Sequence, residues 1–185
     1  MQKFINQIRK SVPDSQVEIS DLENFCTVKS LQKNEILLEM RAVCNYYYFV
    51  NQGALRFFYF DEKGEEHTSW VAFENYFFTE LESYSQKISS QYTVIATEET
   101  EVLQIHRSDM DLLFEKYDWW RKYLFFNQEE TILNLIKVIQ SFQTLSAKDR
   151  YEELFDFPDF IKKIKQKDLA SMLGMSKYAI SRLKK

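Results

Sequence analysis

Apolar positions recur at different periods along this chain, and each period predicts a kind of element. Between residues 4 and 25 the spacing is helical: Phe4, Ile5 and Ile8 share one face, and Ser20 with Glu23 fits a capping box beside Leu22 and Phe25. These short helices read as a cover for the neighbouring part of the fold. From Val28 to about His106 the pattern changes to short runs rich in aromatic and β-branched residues: EILLEM, YYYFVN, ALRFFYF, HTSWVAF, YTVIA and EVLQI. Their spacing predicts a small barrel or sandwich. Gly53 stands between two of the runs and Asp61 to Gly64 between two more, positions where a residue at positive φ lets a hairpin close.

After His106 the pattern is helical again, with Ser108 placed as a cap ahead of Asp111. From Trp119 to Leu145 no glycine or proline intervenes, and the apolar positions cover more than one narrow stripe. One face can pack inward while another meets a partner. Gln128, Leu135 and Phe142 fall seven apart, as do Thr131, Val138 and Leu145. That is the heptad spacing of a two-helix seam, and equally a spacing that an intramolecular core helix can show. Ser146 then caps AKDRYEELFDF, Pro158 breaks it, and short helices fill the remainder.

The segment QKDLASMLGMSKYAISRLKK, Gln166 to Lys185, predicts helix, turn, helix. Gly174 allows a sharp left-handed bend between two amphipathic helices. Leu169, Leu173, Met175, Ile180 and Leu183 form a miniature core, Ala170 permits a close crossing, and Ser176 caps the second helix. Such a unit lays its second helix in the major groove of DNA. Lys177, Tyr178, Ser181 and Arg182 then lie on the outer face, with Lys185 a turn beyond. Arg182 suits a guanine edge, the lysines suit phosphates or guanine, and Gln166 and Lys167 can reach backbone phosphates from the first helix. A helical hairpin with a solvated basic face is the plainer alternative.

Composition sharpens this picture. The chain has 185 residues, 45% hydrophobic and 28% charged, enough for one domain or two small ones with a proper core. Its net charge of −4 is an average: residues 162 to 185 hold eight basic side chains against one acidic, Asp168, while the rest holds sixteen against twenty-seven. A basic end on an acidic body can gain affinity for phosphates by counterion release. Only three glycines and two prolines are present, so neither a Walker loop nor a G-x-G-x-x-G fingerprint can be built. Two cysteines, Cys26 and Cys44, exclude a disulfide framework or a thiolate cluster, and two histidines exclude a multi-histidine metal centre. A metalloenzyme on a cupin-like roll is thereby disfavoured, and no catalytic residue or metal ligand is assigned. MQKFINQIRK has no apolar run or cleavage site, and no segment reaches the length of a membrane span, so a cytoplasmic location is expected.

The order of these segments resembles the Crp/Fnr family of bacterial transcription regulators, in the variety common in Bacteroidetes-type genomes. The landmarks are LQKNEILLEMRAVCNYYYFVNQGALRFFYFDEKGEEHT, FTELESY, SSQYTVIATEETEVLQI, KDRYEELF and QKDLASMLGMSKYAISRLKK, spanning nearly the whole chain. The resemblance implies an α+β fold in three parts. Residues 1–117 would form a cyclic-nucleotide-binding-like β-roll (a double-stranded β-helix), 118–145 a long dimerisation helix, and 146–185 a small helix-turn-helix DNA-binding domain. It implies a homodimer with its seam at Gln128, Thr131, Leu135, Val138 and Phe142, a two-fold related operator in double-stranded DNA, and RNA polymerase as a further partner. The alternative is a ligand-binding or protein-interaction module whose helix-turn-helix has decayed.

Two departures from the family pattern carry expectations of their own. Cyclic-nucleotide binders place a glycine before a glutamate that holds the ribose, then an arginine that pairs the phosphate. Here Glu80 keeps the glutamate position, Thr79 replaces the glycine, and the arginine position falls on Ser89 or Ser90. Losing that fork-shaped contact costs on the order of a few kcal/mol, so cyclic AMP is not expected as effector. The candidate effector pocket is Glu80, Leu81, Ser89, Ser90, Gln91 and Tyr92, and the effector is an unknown small molecule if there is one. Nearby Tyr76, Phe77, Phe78, Tyr84 and Tyr92 suit an apolar or planar ligand, or simply fill the roll. The second departure is at the end: no β-hairpin wing follows the motif within this sequence, which predicts fewer phosphate contacts and more reliance on dimer avidity.

Overall fold

Alternating and continuous apolar runs become strands wherever they can bury a face, and here they build two antiparallel sheets. The computed structural model describes residues 1–156 and 162–183; the side chains of Phe155, Lys177 and Leu183 lie outside that description, as do the expected break at Pro158 and the contact of Lys185. The strands are β1 (Cys26–Leu31), β2 (Ile36–Leu38), β3 (Tyr46–Gln52), β4 (Ala54–Phe60), β5 (Glu66–Phe73), β6 (Phe77–Phe78), β7 (Thr93–Ala96) and β8 (Thr100–His106). One sheet has the order β1-β8-β3-β6 and the other β2-β7-β4-β5. The inner faces meet in a core that includes Leu31, Val50, Leu55, Ala72, Val94 and Val102. The expected α+β fold with a β-roll is therefore the observed one.

The chain passes from one sheet to the other at Gly53. The sequence pattern places a hairpin there, yet β3 pairs with β6 and β8 while β4 pairs with β5 and β7, so Gly53 turns a corner between sheets. Its φ is +88°, and a Cβ would lie 2.5 Å from the Thr100 hydroxyl and 2.6 Å from the Glu99 carbonyl. Both backbone angle and space demand glycine. At Gly64 the expected hairpin is present: Asp61 and Gly64 close the β4–β5 turn through Asp61 N to Glu65 O (3.0 Å) and Gly64 N to Asp61 O (2.9 Å). Along this hairpin the register slips by one residue. Phe57 faces Trp70 but Phe58 faces Thr68, leaving Ser69 unpaired in a β-bulge.

Helices cover one sheet from outside. Phe4, Ile5 and Ile8 of α1 (Gln2–Ser11) are buried, and Phe4 stacks on Phe49 of β3 at 4.6 Å. Full burial of such a ring contributes about 2–3 kcal/mol. The next turn, α2 (Ile19–Leu22), is capped by a box of Glu18 and Asp21 in place of the anticipated Ser20 and Glu23, because the helix begins two residues earlier. A short α3 (Leu81–Gln86) follows β6. Then α4 (Arg107–Lys116) starts directly from β8, and the imidazole of His106 takes the capping role foreseen for Ser108 by accepting the Ser108 amide at 3.3 Å.

The longest element, α5 (Asp118–Thr144), runs 27 residues. Its first turns are anchored by buried Trp120, Tyr123 and Leu124 against α1 and the sheet. Beyond them the apolar residues face outward. Ser146 and Asp149 form a capping box for α6 (Ala147–Glu153), as the sequence indicates, and a 3-10 turn at Leu154–Asp156 follows. Two short helices end the described chain, α7 (Gln166–Met172) and α8 (Lys177–Leu183). Among the described residues no helix is long and apolar enough to cross a membrane.

Candidate functional site

The candidate residues fall in three places: the α7–α8 unit, the outer face of α5, and a cleft between α5 and the roll. The first is built as its sequence pattern requires. Gly174 takes φ +65° at the bend, Ser176 Oγ accepts the Ala179 amide at 3.2 Å, and Leu169, Ala170, Leu173 and Ile180 are buried together, with Met175 packed against them. Opposite that core Tyr178 is 80% exposed, and Ser176, Ser181 and Arg182 are exposed beside it. Gln166 and Lys167, at the start of α7, are also exposed.

The same small core continues onto the roll, a junction that no local sequence signal marks. Ala54 of β4 and Val71 of β5 belong to it, as does Tyr151 of α6. At its edge lies a buried ion pair: Arg56 Nη1 donates to Asp168 Oδ1 at 2.7 Å, to Glu66 Oε1 at 2.9 Å and to the Thr68 hydroxyl at 3.0 Å. The Thr68 amide donates to Ser171 Oγ at 2.8 Å, and Lys167 Nζ reaches Glu66 at 3.2 Å. The Arg56 guanidinium also lies 4.4 Å from the centre of the Phe58 ring. Its hydrogen bond holds the Glu66 carboxyl below the ordinary range. A second tie runs through Arg150, whose guanidinium donates to the Leu145 and Leu173 carbonyls at 2.8 and 3.1 Å and stacks over Phe142 at 4.3 Å. The end of α5 and the α7–α8 bend are thereby fixed to each other.

The outer face of α5 is apolar and open to solvent. Ile132, Leu135, Val138, Ile139 and Phe142 are between 39% and 58% exposed, Gln128 is exposed among them, and Thr131 is half-buried with its hydroxyl bonded to the Asn127 carbonyl.

The cleft has a volume of about 520 Å³ and is walled by aromatic residues of the roll, by Thr79, Glu80 and Leu81, and by Gln128, Thr131 and Leu135 of α5. Glu80 is buried and caps α3, with Oε2 accepting the Ser83 amide at 3.1 Å. Leu81 is 62% exposed at the cleft, and Tyr92 is half-buried within it. The two serines at the arginine position do not face it. Ser90 is buried, with Oγ donating to the Tyr92 carbonyl and accepting the Tyr92 amide, both at 3.0 Å; Ser89 is exposed and bridges to Val43, and Gln91 is exposed. Among the described residues no lysine or arginine lines the cleft. The side chains present do not suit a cyclic phosphate, whose charge would have no partner there.

Metal ligands and thiols occur elsewhere. Among the described residues Asp61, Glu65 and His67 are the one group of potential ligands brought within 4.8 Å, at the β4–β5 turn. There Asp61 already bonds His67 Nε2 at 3.0 Å and accepts the Lys63 and Glu65 amides, so the group serves to lock the hairpin. Cys26 and Cys44 are free and buried, and burial pushes the Cys26 thiol up to about 12.

A β-roll followed by a long helix and a compact helical end defines the fold of a cyclic-nucleotide-binding domain with a C-terminal extension. Residues 28–117 match the family of cyclic nucleotide-binding domains. No curated protein matches this sequence. Among solved structures the chain resembles FixK2 from Bradyrhizobium japonicum (TM-score 0.72, 16% identity, 85% of this chain and 82% of that one). It also resembles a putative transcriptional regulator of the Crp/Fnr family from Eubacterium rectale (TM-score 0.70, 16% identity, 96% and 85%). A third is the c-di-GMP responsive global regulator CLP of Xanthomonas campestris (TM-score 0.68, 12% identity, 89% and 87%). At these identities the likeness is one of fold: a β-roll, a long helix and a helical C-terminal part arranged as in these structures.

Proposed function

We propose that this chain is a DNA-binding transcription regulator of the Crp/Fnr type that acts as a homodimer. Residues 1–117 form the sensor, 118–145 the dimerisation helix and 146–185 the DNA-reading unit. The observation that carries this reading is the α7–α8 unit, with a buried Leu169, Ala170, Leu173 and Ile180 core and an exposed Tyr178, Ser181 and Arg182 face. That geometry offers α8 to a major groove, with Arg182 placed for a guanine edge and one recognition helix per half-site of a two-fold operator. RNA polymerase is the natural further partner of such a protein at a promoter.

The cleft between α5 and the roll is the effector site in this reading, and the effector is a small molecule other than cyclic AMP. Strand alternation supports a path from it to the reader. On β4 and β5, Phe57 and Trp70 face the cleft, while their neighbours Arg56 and Val71 face α7. Any ligand that moves the first pair acts on the strands that hold the second.

Fluorescence anisotropy with DNA from the promoter of its own operon tests the proposal. Arg182→Ala should cost about 1–3 kcal/mol in specific binding, and Lys177→Ala should weaken binding to all sequences and flatten the salt dependence. Unchanged affinity in both variants would remove the recognition-helix assignment and favour an interaction module.

A further inference from the structure

The cleft carries charge of one sign only. Six of its rings belong to Tyr47, Phe57, Trp70, Tyr76, Phe78 and Tyr92, and among the described residues that line it the one formally charged is Glu80. Glu80 is 7% exposed and lines the cleft, and its Oε2 takes the Ser83 amide. The Arg107 guanidinium, which reaches α3, is committed there: it donates to the Cys44 and Tyr84 carbonyls and lies 4.1 Å over the Tyr84 ring. A second carboxylate, Glu130 of α5, acts on the same region, since its charge adds to burial in raising the Tyr76 phenol above its ordinary value. Burial holds the Tyr47 and Tyr76 phenols above their ordinary value, so the formal charge at the cleft is that of its carboxylate.

A carboxylate and aromatic faces act in one direction. Ring faces carry negative quadrupole density and attract cations, most strongly where water is excluded. An anion entering the cleft would lose its hydration and meet no counter-charge, whereas an ammonium group would meet both a carboxylate oxygen and ring faces. The volume, about 520 Å³, lies within the range of small-molecule sites.

We infer that the cleft binds an organic cation, a molecule with a flat apolar body and a protonated amine directed at Glu80. This rests on the reading of the cleft as the effector site and adds the charge class of the effector. Aromatic surface alone would suit any planar ligand. It is the carboxylate of Glu80, with no basic residue among the described residues of the cleft, that selects the sign.

Three probes that share one ring system and differ in charge test this on the full chain: tryptamine, 3-methylindole and indole-3-acetate, with cyclic AMP alongside. Calorimetry should give affinities in the order tryptamine, 3-methylindole, indole-3-acetate, with tryptamine at least tenfold tighter than the anion and cyclic AMP silent. Glu80→Gln keeps an oxygen for the Ser83 amide, and in it tryptamine should bind no better than 3-methylindole. Trp70→Leu leaves that cap untouched and should weaken tryptamine more than 3-methylindole. The inference is overturned if the anion binds as well as the cation, if none of the three binds at millimolar concentration, or if Glu80→Gln leaves tryptamine unaffected. Anisotropy with promoter DNA on the same samples separates the two readings. Tryptamine binding without DNA affinity would sink the regulator and keep the cation site, and DNA binding without tryptamine affinity would do the reverse.

Discussion

Arg56 and Asp168 are 112 positions apart in sequence and 2.7 Å apart in space, with side chains 10% and 7% exposed. Nothing local in the sequence announces the pair. Asp168 stands out there only as the single acid in a basic segment, and Arg56 as the single charge in ALRFFYF. A buried pair of this kind gives little net stability, but removing one partner strands the other's charge. Asp168→Ala should therefore destabilise the chain by about 2–4 kcal/mol, toward the lower end because Glu66 remains beside Arg56. The double variant Arg56→Met with Asp168→Leu should lie closer to the unsubstituted chain than either single one. Urea unfolding of the four proteins measures this, and simple additivity of the two single effects would show that the residues are not coupled.

Elements differ in how plainly the sequence announces them. The runs that form β3, β4, β5, β7 and β8 are legible because both faces of a strand in the roll bury aromatic or β-branched side chains. β1 is not, since its middle residues Thr27 to Ser30 are mostly exposed and leave no apolar run; β6, two residues long, has no period at all. The role of Gly53 is half legible: positive φ can be foreseen, a change of sheet cannot, because pairing partners lie far along the chain. For α5 the continuous periodicity foretells a helix, and its exposed stripe makes a specific demand. A row of Ile132, Leu135, Ile139 and Phe142 open to water on one helix is the surface a second copy would cover. Light scattering should give the mass of two chains, and Ile132→Glu with Ile139→Glu should give the mass of one with the circular dichroism unchanged. A single-chain mass before substitution would remove the dimer.

On the scale of the whole molecule the charges are segregated, and the acidic body holds the basic end through several contacts. Lys167 pairs with Glu66, Lys163 with Glu98 at 3.4 Å, and Arg56 gathers Glu66 and Asp168. The Glu66 carboxyl is held below its ordinary value of 4.5, first by the Arg56 hydrogen bond. A depressed carboxylate contributes stability that is complete above the ordinary value and is lost as the pH falls through the depressed one. Acidification below pH 4.5 should thus loosen α7 from the roll, modestly because Glu66 is partly exposed. Amide exchange followed from pH 6 to pH 3.5, corrected for the intrinsic rate, should show α7 losing protection before β3 and β8. Equal loss in all three would place the acid sensitivity elsewhere. Finally, the unpaired Ser69 acts on the parity of β5. Upstream of it even-numbered residues such as Thr68 point toward α7; downstream it is the odd-numbered Val71 that does so, while Trp70 looks into the cleft. The bulge thus absorbs one surplus residue without changing the side that its flanking residues face, and a chain shortened by Ser69 would restore an uninterrupted register and keep Thr68 and Glu66 on the side of Arg56.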